Sequence, residues 1–171
     1  MVSFDWFEIR QSHLPDIPHV YRIDARSMIS EYSPDSFVEK LIYYNDLFLV
    51  ATEMETNRVI GYIVGSYDQS YTHEFPGYIY VSRFAVKNKY RRRGVGTCLM
   101  MVLENSMLMT GRFKGVVADV RLSNTPSLTF FKNLGYTVSD TLSGKEMYNR
   151  GETPEERYKV VLYKKFPTIN P

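Results

Sequence analysis

Three arginines run into a Gly-x-Gly at Arg91-Arg92-Arg93-Gly94-Val95-Gly96-Thr97. The residues before this stretch are dense in β-formers and those after it recur at helical spacing, so it marks a strand-to-helix turn. Such a turn suits an anion: a helix start leaves up to about four backbone N–H donors unpaired at the positive end of the macrodipole. Glycine lets ligand atoms approach the backbone closely. Two nucleotide motifs fail here. The Walker loop needs Lys-Ser or Lys-Thr after its second glycine, and Gly96 is followed by Thr97-Cys98. A dinucleotide fingerprint needs a third glycine, which here is Leu99, and an acid closing a second strand; Asp119 comes closest but lies inside its strand.

Few other side chains offer chemistry by themselves. Cys98 is the single cysteine, which excludes an internal disulfide or a CxxC site and suggests a small packing residue in a helix. His13, His19 and His73 stand in unrelated segments without HxxxH spacing, so neither a zinc site nor a Cys–His nucleophile is expected. A formal charge of +2 over 171 residues gives no global field to recruit nucleic acid. The N-terminus, Met1-Val2-Ser3-Phe4-Asp5, lacks a basic and an apolar signal region, and no apolar run reaches the roughly 18 residues that span a bilayer. The expectation is a cytoplasmic protein of one domain, residues 1–171, without membrane contact.

The elements that must position the turn follow from periodicity. Phe7-Glu8-Ile9-Arg10 reads as a short strand, and Ile17, Val20, Tyr21, Ile23, Ala25 and Met28 predict a helix over about 16–29. Ser33-Pro34 starts a second helix, to about residue 44, with Phe37, Val38, Leu41 and Ile42 on one face. Residues 47–51 and 59–64 form an antiparallel hairpin, and 78–86 is the strand leading to the turn. A broad apolar face then runs from Gly94 to Met109, and Gly115 to Arg121 is again a strand, which makes a right-handed βαβ unit with parallel strands. The arginine turn lies at the carboxyl end of the first strand, where open α/β sheets place ligands. Asn124-Thr125-Pro126 opens a last helix, closed by Gly135, before strands at 136–138 and 158–163.

Taken together, Phe84-Ala85-Val86, Arg-x-x-Gly-x-Gly, Asp119-Val120-Arg121-Leu122-Ser123-Asn124 and Phe130-Phe131 with Gly135-Tyr136 resemble the GNAT acetyltransferases over residues 5–166. Within that superfamily the chain is most similar to the N-terminal acetyltransferases, of the ribosomal-protein alanine type and the archaeal and eukaryotic protein type. The resemblance implies a mixed α/β fold in the order β-α-α-β-β-β-α-β-α-β-β. It also implies transfer of acetyl from acetyl-coenzyme A to a peptide α-amine, with no metal. By resemblance, Phe84, Ala85 and Val86 face the pantetheine arm, Arg91, Arg92, Arg93, Gly94, Val95, Gly96 and Thr97 hold the pyrophosphate, and Asn124 and Phe131 line the cofactor; Asn124 equally suits a helix start. Tyr80 matches a position that supplies a tyrosine base, and Asp119 one where relatives carry glutamate or histidine. The alternatives are a strand aromatic for Tyr80 and, for Asp119, a structural pair with Arg83 or Arg121. Glu31, Tyr32 and Tyr148 match loops that flank the acceptor groove. Phe131 departs from the pattern, standing where many members carry a tyrosine that protonates the leaving thiolate. The resemblance leaves open a small-amine acceptor such as a polyamine, a non-catalytic coenzyme A-binding role, association with ribosomes, and a monomeric or homodimeric state.

Overall fold

Short runs of β-branched and aromatic residues alternate with helical stripes along the chain, and the computed structural model folds them into eight strands and four α-helices among the residues it describes, 1–27, 32–67, 75–139 and 158–168. Two units form. One comprises Met1–Ser66 with Val81–Met109, the other Tyr67–Tyr80 with Thr110–Pro171.

In the first unit, β1 (Val2–Ser3), β2 (Phe7–Gln11), β3 (Phe48–Glu53) and β4 (Arg58–Ser66) form an antiparallel sheet in chain order, continued by the second part of β5 (Tyr78–Val86). Helices α1 (Ile17–Ser27) and α2 (Pro34–Tyr43) cover one face: Ile17, Val20, Ile23 and Phe37 pack against Phe48, Val50, Tyr62 and Val64. Helix α3 (Val95–Met109) lies against β2, β3 and β4, with Leu99 reaching within 3.3 Å of where a side chain on Gly61 would begin. Ser33 caps α2 by accepting a hydrogen bond from the Ser36 N–H, with Pro34 following at the first turn. Bidentate bonds from Arg10 to Asp16, 2.7 and 3.0 Å, tie β2 to the short 3-10 turn Leu14–Asp16 that precedes α1.

In the second unit, the first part of β5 pairs in parallel with β6 (Gly115–Arg121), and β6 pairs along its whole length with the antiparallel β8 (Lys159–Lys165), which β7 (Thr137–Val138) flanks. Helix α4 spans Thr125–Asn133. A side chain at Gly115 would begin 2.2 Å from the Lys164 carbonyl oxygen and 2.5 Å from the Tyr78 ring, so only glycine fits between those two strands. No helix among the described residues is long and apolar enough to cross a membrane.

The order agrees with the sequence reading, with four additions. A two-residue β1 precedes the opening strand, 3-10 turns stand at Leu14–Asp16 and Asn45–Leu47, and a third, Asn88–Tyr90, separates β5 from the arginines. Isolated turns of this kind carry no periodicity for a sequence to show.

Candidate active site

After Val86 the chain is anchored by the Lys87 N–H donating to the Ile60 carbonyl at 2.9 Å, and by the buried Tyr90, whose hydroxyl donates to Glu53 Oε1 at 2.9 Å. Two left-handed residues then turn it into α3: Arg92 at φ 59° and Gly94 at φ 84°. Alternation of this kind aims successive backbone N–H groups into a concavity that favours anions. Space in front of Gly94 is open, with no atom within 4 Å of where a Cβ would stand. The Cys98 N–H bonds to the Gly94 carbonyl at 2.9 Å, and the first-turn amides of Val95, Gly96 and Thr97 have no acceptor within the helix. No acid occupies that first turn to compete for the positive end.

The three arginines are not equivalent. Arg91 donates through Nε to the Val86 carbonyl at 2.9 Å and through Nη2 to the Ser27 hydroxyl at 3.3 Å, which fixes the turn against α1. Arg93 lies 4.1 Å over the Trp6 ring and 5.8 Å from that of Tyr90. Arg92 is exposed. Arg91 and Arg93, exposed as Arg92 is, therefore also brace the turn. Cys98 is half-buried, and burial pushes its thiol up, in keeping with a packing role.

Tyr80 and Asp119 meet in the second unit. The parallel register sets Tyr80 opposite Val117, so Asp119, two residues on, shares Val117's face, and the Tyr80 hydroxyl donates to Asp119 Oδ1. Both residues are half-buried. A phenol hydrogen-bonded to a carboxylate can pass a proton from one partner to the other, which is chemistry a general base needs. Arg83, one of the two structural partners considered for Asp119, forms a pair with Asp24 in the first unit, at 3.9 Å. Asn124 caps α4, its Oδ1 accepting from the Ser127 N–H at 3.2 Å. Phe131 is buried, edge-on to Tyr136 with centroids 5.1 Å apart, and carries no hydroxyl.

One cluster escaped the sequence reading. Asp24, fully buried on α1, accepts from the Tyr62 hydroxyl and faces Arg83, whose guanidinium in turn stacks 3.9 Å over the Tyr32 ring. Burial, then the charge of Asp24 and its hydrogen bond, push the Tyr62 phenol well above its ordinary range. The signal was present: Asp24 sits four residues after Val20 and next to Ile23, an acid inside an apolar stripe. Tyr32 is thereby held by Arg83 and by Phe37, 5.9 Å away. Glu31 and Tyr148 lie outside the described residues.

A mixed α/β sheet and a strand-to-helix turn that offers amides to an anion suit a group-transfer enzyme whose donor carries phosphate. The Acetyltransferase (GNAT) family matches residues 14–136, and the chain belongs to that family. The N-alpha-acetyltransferase of Sulfurisphaera tokodaii is 30% identical over 151 residues, 85% of this chain and 88% of its own. Among solved structures, Ard1 from Thermoplasma volcanium shares the fold with a TM-score of 0.79 and 23% identity, covering 95% of this chain and 99% of its own. Arabidopsis thaliana Naa50, in complex with the bisubstrate analogue CoA-Ac-MVNAL, has a TM-score of 0.71 and 18% identity, covering 94% and 99%.

Proposed function

We propose that this enzyme transfers the acetyl group of acetyl-coenzyme A to the N-terminal α-amine of proteins or peptides in the cytoplasm. The hydrogen bond between Tyr80 and Asp119 carries the reading, because it supplies a base suited to an amine that needs little help. The name of the Sulfurisphaera relative and the peptide-bearing analogue held by Naa50 support it.

The turn amides of Val95, Gly96 and Thr97, with Arg92, take the pyrophosphate of the donor. Phe84-Ala85-Val86, at the end of β5, faces its pantetheine arm, with Asn124 and Phe131 as further contacts. Tyr32, with Glu31 and Tyr148, receives the peptide. The amine nitrogen attacks the thioester carbonyl, forming C–N as C–S breaks, and its surplus proton passes to the Tyr80–Asp119 pair and on to solvent. An α-amine has a pKa near 7.7–8.0, so roughly a tenth to a sixth is already neutral at pH 7. Phe131 cannot protonate the departing thiolate. Since a thiol's pKa is about 8.5, solvent can supply that proton near neutrality.

The test is a peptide-library acetylation assay read by mass spectrometry, run beside spermidine. Acetylation at peptide α-amines, slowed about ten- to a hundredfold in Tyr80→Phe and Asp119→Asn, is the expected result. Turnover of spermidine alone would make the acceptor a small amine, and coenzyme A binding without turnover of any amine would leave a non-catalytic protein.

A further inference from the structure

The first unit holds a second concentration of positive charge. Arg22 and Arg26 stand one turn apart on α1, Arg58 opens β4, and Lys87 and Lys89 flank Asn88 before the turn; with Ser27 they surround a cleft of about 400 Å³. Their convergence is a product of the fold, since the cations come from three stretches far apart in the chain. None of the five makes an ion pair with a carboxylate among the described residues. Glu53 feels the charges of Lys89 and Arg58, but its oxygens accept hydrogen bonds from Tyr90 and Thr56. The Lys87 ammonium is half-buried, and burial followed by the charges of Lys89, Arg58, Arg22 and Arg26 pushes its pKa down.

Gathering like charges in a hollow opposes folding, and a multiply charged anion relieves the repulsion. Arg22 and Arg26, at i and i+4, both line the cleft, with Arg22 keeping its terminal nitrogens while its Nε donates to the Pro18 carbonyl at 3.1 Å, and guanidinium groups suit phosphate oxygens. The volume is that of a small-molecule site. A single-stranded nucleic acid would also need an aromatic face for stacking. Of the two rings in the wall, Tyr90 is buried with its ring against Trp6 and under Lys89, which leaves the exposed imidazole of His19 in place of a broad stacking face.

We propose that this cleft is a second anion site, apart from the donor turn, for a compact ligand bearing two or more phosphate groups. Its lining includes none of residues 91–97, though the Arg91–Ser27 hydrogen bond joins the two regions. It goes beyond the acetyl-transfer reading, and binding alone tests it.

Inorganic tripolyphosphate is titrated calorimetrically into the full chain already saturated with coenzyme A. One equivalent binds, and the Arg22→Ala/Arg26→Ala/Lys87→Ala variant loses at least about tenfold in affinity while its affinity for coenzyme A stays within about twofold. Should that variant fail to fold, Arg26→Glu alone, at an exposed position, gives the same reading. Loss of tripolyphosphate binding on saturation with coenzyme A overturns the proposal, because the ion then belongs to the turn. Unchanged binding by the variants overturns it too. Tighter binding of a short single-stranded RNA through the same residues replaces it with a nucleic-acid surface.

Discussion

At the scale of single residues, the Tyr80–Asp119 hydrogen bond makes the sharpest demand on the chemistry. A base that works as a unit loses its function when either member goes, so the two single substitutions should cost alike and fail to add. Tyr80→Phe and Asp119→Asn are each expected to lower kcat by about ten- to a hundredfold, about 1.4 to 2.7 kcal/mol of barrier. The double variant should be no worse than the weaker single one, and the KM for acetyl-coenzyme A should stay within about threefold, since neither residue holds the donor. Steady-state kinetics on one acetylated peptide measures all of this; additive losses would mean two independent roles. The two residues were identifiable from their positions in the chain, but their meeting was not. It depends on the parallel register Tyr80↔Val117, a contact between residues far apart in sequence. For the Asp24–Tyr62–Arg83 cluster the sequence flagged only Asp24, an acid inside an apolar stripe; its partners read alone as ordinary strand residues, and their meeting depends on the fold.

At the scale of elements, the turn and its supports can be separated experimentally. Gly94 has φ 84° and open space before it, so Gly94→Ala adds no clash but strains the backbone by roughly 1–2 kcal/mol and crowds the anion concavity. The expected outcome is a KM for acetyl-coenzyme A raised at least about tenfold with folding largely kept, read by kinetics and thermal melting together. Gly115→Ala should do the reverse, collapsing stability through its 2.2 Å approach to a carbonyl oxygen, with soluble yield as the first readout. The Arg10–Asp16 tie is a matter of pH. Burial alone would raise the Asp16 carboxyl, but the hydrogen bonds from Arg10 and the His13 N–H outweigh it and hold it below the usual range. A carboxylate lowered in the folded state stabilises above its unfolded pKa, near 3.9, and that contribution disappears as pH falls through the folded value. Urea midpoints should therefore show Asp16→Asn less stable by about 1–2 kcal/mol at pH 7, the gap narrowing below about pH 4. Long periodic elements such as α3 and β5 were legible to within a residue or two; the 3-10 turn at Asn88–Tyr90 and the two-residue β1 rest on local hydrogen bonds and pairing that periodicity does not encode.

At the scale of the molecule, the charge distribution and the acceptor's own ionisation decide how the enzyme responds to its medium. A net charge of +2 gives little long-range steering, so pH should act through the amine and the base rather than through the whole field. For a peptide α-amine with a pKa near 7.7–8.0, log kcat/KM should climb with unit slope from about pH 6 and level off near pH 8 as the neutral amine saturates. A peptide with a blocked N-terminus and a single lysine, pKa about 10.4, should start roughly 250- to 500-fold lower and still be climbing at pH 9. The Tyr80→Phe variant adds the discriminating arm. If the acceptor's ionisation sets the bend, the variant's profile lies lower with the bend unmoved; a bend that shifts with the variant would assign it to the Tyr80–Asp119 pair instead. That second outcome would mean the enzyme deprotonates a charged amine itself, and would reopen the preference for α-amines over lysine.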